Sequence, residues 1–213
     1  MTFNDNVRID TSKVSKRSGA RRGGMIAGGG AGIALLLLIG SQLLGVDLTP
    51  FAPAVEGLVG GGTSQEQEAA LADCSTGADA NEDAECRMAA TADSLDRYWE
   101  SQVGNYRAPA PVVLFEGQTQ SQCGTASSAT GPFYCPPEER IYVDVSFFDT
   151  LRRDYGASEG SLAEMYVLAH EWGHHISKLI GSLDQVGNDS GPASGSVRLE
   201  LQADCFAGAW VQN

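Results

Sequence analysis

The sequence predicts an α+β domain, mostly helical with a small β-sheet, behind an N-terminal transmembrane helix. Apolar residues recur at helical spacing in several segments after position 83, and period-two alternation marks a short strand. The stretch from Met25 to Val46 contains no charged residue. It matches the roughly 20 apolar residues that a helix needs to cross a bilayer core. A cleaved signal peptide or a buried core helix are the alternatives, and the length of the span favours a retained anchor.

Charge orients that span. Residues 1–24 carry Arg8, Lys13, Lys16, Arg17, Arg21 and Arg22 against Asp5 and Asp10, a net of +4 in a chain of −13, so the remainder carries −17. A basic flank before the span and Asp47 after it predict a cytoplasmic tail at 1–24 and an extracytoplasmic body, a single-pass protein of the cell membrane. The acidic body lacks the clustered Lys and Arg that phosphate backbones require, which argues against nucleic acid as a partner. Five cysteines suit an extracytoplasmic compartment. Eleven residues separate Cys74 from Cys86 and Cys123 from Cys135, so two local bridges are expected, with Cys205 left over as a buried thiol. Four cysteines allow three connectivities.

Residues 47–72, rich in Gly, Ser and Gln, read as a flexible tether, and the folded body is expected over 73–213. Within it, Asp83 to Gly104 has helical spacing, with Met88, Ala89, Ala92, Leu95 and Trp99 near one face. Ala110 to Gly117 reads as a strand. Arg140 to Phe148 is a stronger one, alternating Ile141, Val143 and Val145 with Tyr142, Asp144 and Ser146. The Gly, Ser and Pro-rich segment between them reads as loop. Ser161 with Glu164 forms a capping-box pattern, and Gly181 closes a helix over 162–180. Ser182 to Ser196 is loop, and a last helix starts near Val197. That helix has no stop signal before Asn213, so the sequence reads as a piece of a longer protein.

All three histidines lie in "HEWGHH", on the penultimate helix. His170 and His174, four apart, share a face, with Cβ atoms about 5–6 Å apart. Two imidazoles there can converge on one zinc ion. Glu171 projects toward the remaining coordination position, where it can take a proton from bound water. The plainer reading is a pair of core histidines, but buried charge without a partner is costly and a metal supplies one. His175 lies on another face and reads as a structural group rather than a ligand. A catalytic zinc usually has three protein ligands. No further histidine exists, so the third must be a carboxylate, a thiolate, or a group beyond Asn213. Glu200 and Asp204, four apart on the last helix, are the best candidates. One can bind the metal while the other holds a histidine's outer N–H. Cys205 is a weaker candidate.

The basic N-terminus with its span ending "GVDLT", then "CGTASSATGPFYCP", "RIYVDVSFFDTL", "YVLAHEWGHHI" and "ELQADCFAGAW", resemble the bacterial neutral zinc metallopeptidases with one N-terminal membrane anchor. The resemblance implies a zincin-like fold and a Glu-zincin ligand set: His170, His174 and Glu200 on zinc, Glu171 as base, Asp204 behind a ligand. Trp172 and Ser177 depart from the pattern, and the family continues past this chain's end. The expected function is that of a membrane-anchored zinc endopeptidase acting on protein or peptide substrates, with Glu171 as general base to a zinc-bound water. The substrate would lie along an edge strand, with the segment Tyr142 to Val145 as the candidate. A zinc-stabilised extracytoplasmic scaffold is the alternative, and the intact Glu171 counts against it.

Overall fold

The computed structural model describes residues 2–17, 68–71, 73–155, 161–187 and 189–213. Their fold is mixed α/β, built on a five-stranded sheet rather than mostly helical with a small one. The strands are β1 (Val14–Arg17), β2 (Glu68–Ala70), β3 (Ala110–Phe115), β4 (Gln118–Ser121), β5 (Gly124–Ser127), β6 (Phe133–Cys135) and β7 (Arg140–Asp144). The helices are α1 (Gly77–Glu82), α2 (Ala84–Gln102), α3 (Phe147–Tyr155), α4 (Ser161–Leu179) and α5 (Gly195–Gln212). The large sheet runs β2-β1-β3-β7-β6, while β4 and β5 form a separate hairpin. β1, β3 and β7 are mutually parallel; β2 and β6 run antiparallel at the two edges.

Two expectations fall here. Among the described residues, no helix is long and apolar enough to cross a membrane. The span expected at 25–46 lies outside the described residues. The N-terminal tail, expected across a bilayer from the body, instead supplies β1, whose Ser15 pairs with Val113 of β3. Strands hydrogen-bonded in one sheet occupy one compartment. The single-pass arrangement, with the tail and the body on opposite sides of a bilayer, is therefore withdrawn.

Both faces of the sheet centre are covered, which explains the run "VVLF" in β3. Val112, Leu114, Ile141 and Val143 face the helices, packing with Met88, Leu95, Met165, Leu168 and Trp172. Val113, Phe115 and Tyr142 join Ala126 and Cys135 on the opposite face. The alternation read in β7 therefore separates two buried faces rather than core from solvent: Tyr142 and Asp144 are buried as fully as Ile141. Asp144 accepts hydrogen bonds from Ser128 and Ser146 hydroxyls and from the Gly117 and Ser146 amides, which satisfies a carboxylate at the strand's end. The strand stops there, and Phe147 and Phe148, expected within it, open α3. The shift in β3–β7 register between Ala110 and Val113 coincides with Pro111, which has no N–H to give the ladder.

The helices carry their own start signals. Thr76 and Asp79 form a capping box on α1, and the Asp83 carboxylate caps α2 through the Cys86 amide. Met88, Ala89, Ala92, Leu95 and Trp99 are all buried, as the spacing predicts. In α4, Glu164 is buried and takes Arg87 of α2 and Arg152 of α3 on its two oxygens, fixing α4 against both. The segment expected to be loop between the strand segments holds β4, β5 and β6. These strands are three or four residues long, too short for alternation to show, and β4 and β5 are rich in small polar residues. Disulfides join Cys74 to Cys86 and Cys123 to Cys135. The second one ties the β4–β5 turn to β6. Cys205 is exposed rather than buried, because the buried face of α5 runs through Ala203, Ala207 and Trp210.

Candidate metal centre

Helices α4 and α5 pack closely enough that a Cβ on Gly173 would meet the Cα and carbonyl oxygen of Ala203 at 2.9 Å. Nothing larger than glycine fits there without moving a helix. A polar contact fixes the same pair farther along. The Gln202 side-chain amide meets the Ser177 hydroxyl at 2.9 Å and the Ser182 hydroxyl at 2.7 Å. Those hydroxyls also reach the Gly173 and Ser177 carbonyls. A hydroxyl has one proton, so the network closes when the Gln202 NH₂ donates to both hydroxyls and each hydroxyl donates to its carbonyl. Ser177, which departs from the family pattern, thus has a packing role.

This packing brings the sequence-selected residues together. The ring centroids of His170 and His174 lie 4.8 Å apart. One Glu200 oxygen is 3.1 Å from His170 Nε2 and 3.5 Å from His174 Nε2. Donor atoms of His170, His174 and Glu200 all lie within 4.8 Å of one another. Asp204 Oδ1 accepts from His170 Nδ1 at 3.0 Å and from the Tyr166 hydroxyl at 3.0 Å. Glu200 and Asp204 therefore meet opposite edges of one imidazole. Glu200 lines the cleft with its side chain 59% exposed.

The donor chemistry fits zinc. A neutral imidazole has one N–H, yet both nitrogens of His170 face carboxylate oxygens, which only accept. A cation on the Nε2 side removes the conflict and leaves Nδ1–H for Asp204, the usual outer hydrogen bond of a metal-binding histidine. Burial holds the His174 imidazole below its ordinary pKa, which keeps its lone pair available. Two imidazoles and a carboxylate are a known catalytic zinc set.

Glu171 stays off this triangle. It is 8% exposed, and burial pushes its pKa up to about 7; the nearby His170 lowers it, Glu200 raises it and the Tyr134 backbone N–H lowers it. His175 is fully buried and lies away from the other two histidines. Cys205, the weaker ligand candidate, is not among the converging donors. A cleft of about 480 Å³ opens over His170, Glu171, His174 and Glu200. Its other walls are Pro132, Phe133, Tyr134, Pro136, Leu183, Val186 and Leu199, without a charge among them. The segment Tyr142 to Val145, expected as the edge, is interior: β7 pairs with β3 on one side and β6 on the other. The edge strand at the cleft is β6. Sequence reading missed Tyr166, although it lies four residues before His170 on the same helix face. It also missed Tyr134, for which no local signal exists.

Similar proteins lend this geometry a context. An uncharacterized protein of Mycobacterium tuberculosis H37Rv is 47% identical over 142 residues, 66% of this chain and 48% of that protein. Uncharacterized protein YpfJ of Escherichia coli K12 is 35% identical over 190 residues, 86% of this chain and 63% of that protein. The chain thus spans about half to just under two thirds of the curated relatives it matches. No solved structure matches significantly. Residues 2–213 match the family described as "Putative neutral zinc metallopeptidase", and the chain belongs to that family.

Proposed function

We propose that the protein is a zinc-dependent endopeptidase in which His170, His174 and Glu200 hold the metal, Asp204 orients His170, and Glu171 is the general base. The observation that carries this reading is the placement of Glu171. Its buried carboxyl lies beside the convergent donors and lines the same cleft, yet is not one of them. A purely structural site has no use for such a group.

Bound there, zinc would act as a Lewis acid on a substrate carbonyl and bring the pKa of water down to about 7. Glu171 takes a proton from the attacking water and passes it to the leaving amine. Substrate in extended form adds to the outer edge of β6 by main-chain hydrogen bonds. The uncharged walls formed by Phe133, Leu183, Val186 and Leu199 favour apolar side chains around the scissile bond.

The test is metal analysis of the purified protein together with cleavage of an unstructured peptide library. Stoichiometric zinc and chelator-sensitive cleavage beside apolar residues are expected. A zinc-loaded protein that cleaves nothing would overturn the peptidase reading.

A further inference from the structure

Glu171 and His175 are four residues apart on α4, as are His170 and His174. Each pair therefore shares a helix face. The His170–His174 face meets α5. The other face meets β6, and there His175 is fully buried with both nitrogens engaged. Nε2 lies 2.9 Å from the Arg107 carbonyl oxygen, and Nδ1 lies 3.0 Å from the Tyr134 hydroxyl. A carbonyl only accepts, so Nε2 carries the proton; Nδ1 then accepts from Tyr134. The imidazole is thereby fixed in one neutral tautomer that joins three elements: α4, the segment before β3, and the edge strand β6.

Tyr134 is the middle residue of β6. Its side chain turns back to His175, with ring centroids 5.6 Å apart. Tyr134 and Glu171 line the same cleft. The Arg107 side chain meets Glu139, in the β6–β7 turn, so the same segment holds the strand a second time.

We propose that His175 is a positioning residue: its hydrogen bond to the Tyr134 hydroxyl fixes β6 as the wall of the cleft that Glu171 also lines, and so sets the strand edge beside the base. The base role rests on the peptidase reading; the link from His175 to the strand edge does not. It commits the third histidine of the motif to the base, as the first two are committed to the metal.

Tyr134→Phe, His175→Gln and the double variant test it in the full chain. Three quantities are read: bound zinc, amide hydrogen exchange at Tyr134, and kcat with KM. Zinc is expected to stay at the wild-type level, and the Tyr134 amide to exchange about tenfold faster or more in each variant. kcat should fall about 10- to 100-fold, since a misplaced reacting group costs rate, and KM should rise as well because the same strand edge receives the substrate. The double variant should be no worse than the worse single one, because both remove one link. Wild-type kcat per zinc-loaded molecule, or additive losses, would overturn the proposal, as would unchanged exchange at Tyr134. Should the wild type cleave nothing, the exchange result alone decides the link while the peptidase reading fails separately. Tyr134→Phe, which keeps the ring and deletes only the hydroxyl, serves if His175→Gln does not fold.

Discussion

The two walls of the cleft hold their functional atoms by different means. On the helical wall, the ligand candidates sit on long elements, α4 and α5, with four-residue spacing within each helix. The close contact at Gly173 and Ala203 sets how the helices meet. On the strand wall, β6 is three residues long and cannot hold itself. It is held by β7, by the Cys123–Cys135 disulfide, and by Tyr134 against His175. The difference has a consequence for variants. Damage to the helical wall should remove metal. Damage to the strand wall should leave the metal and impair its use.

The largest effect belongs to the helical wall. Glu200→Ala should lose zinc almost entirely, whereas Asp204→Ala, which removes a partner of a ligand, should weaken the site about 10- to 100-fold. Metal titration of the two variants decides the roles; an empty Asp204→Ala with a filled Glu200→Ala would exchange them.

Next in size is a pH effect on the metal-free protein. Burial raises the folded pKa of Glu171 to about 7 from the ordinary 4.5. A raised carboxyl pKa means folding favours the protonated form. Its stabilising contribution is therefore complete below pH 4.5 and lost as pH rises through about 7. Relative to Glu171→Gln, the chelated wild type should lose about 3 kcal/mol between those limits. Denaturant unfolding at several pH values measures it, and a flat difference would refute the burial argument.

A smaller loss is expected at the helix contact. Gly173→Ala forces a Cβ into Ala203, and overpacking of this kind costs about 1–3 kcal/mol. Thermal unfolding should register that cost, and zinc affinity should fall because α5 carries Glu200 away. A destabilised variant with wild-type zinc affinity would show that the spacing does not set the ligand triangle. Smallest is Tyr166→Phe. It deletes one hydrogen bond to Asp204 and should weaken zinc about fivefold, the equivalent of about 1 kcal/mol.

The same division describes what the sequence disclosed. His170, Glu171, His174, Glu200 and Asp204 were legible because each pair lies within one helix, where spacing dictates direction. The buried face of α2 was legible for the same reason, whereas Glu164, expected to cap α4, gives its two oxygens to Arg87 and Arg152. β6 was not legible: Phe133, Tyr134 and Cys135 lie between Pro132 and Pro136 in a segment that reads as loop, and Tyr134 finds His175 41 residues away. β1 was hidden by its own charge. In "VSKR", Lys16 and Arg17 suggested a tail, yet they pair with Glu85 and Glu68 beside the sheet. Tyr142 to Val145 looked like an edge because alternation reports two faces and is silent on neighbours within the sheet.

The most direct test is Glu171→Gln, assayed for zinc and for peptide cleavage in the same preparation. The substitution keeps the shape of the side chain and leaves all three convergent donors intact. Zinc affinity should remain within a few-fold of wild type while kcat falls about 10²- to 10⁴-fold, the contribution of a positioned base. A zinc-loaded Glu171→Gln protein with wild-type turnover would contradict Glu171 as the base. Loss of zinc together with turnover would place Glu171 among the ligands instead.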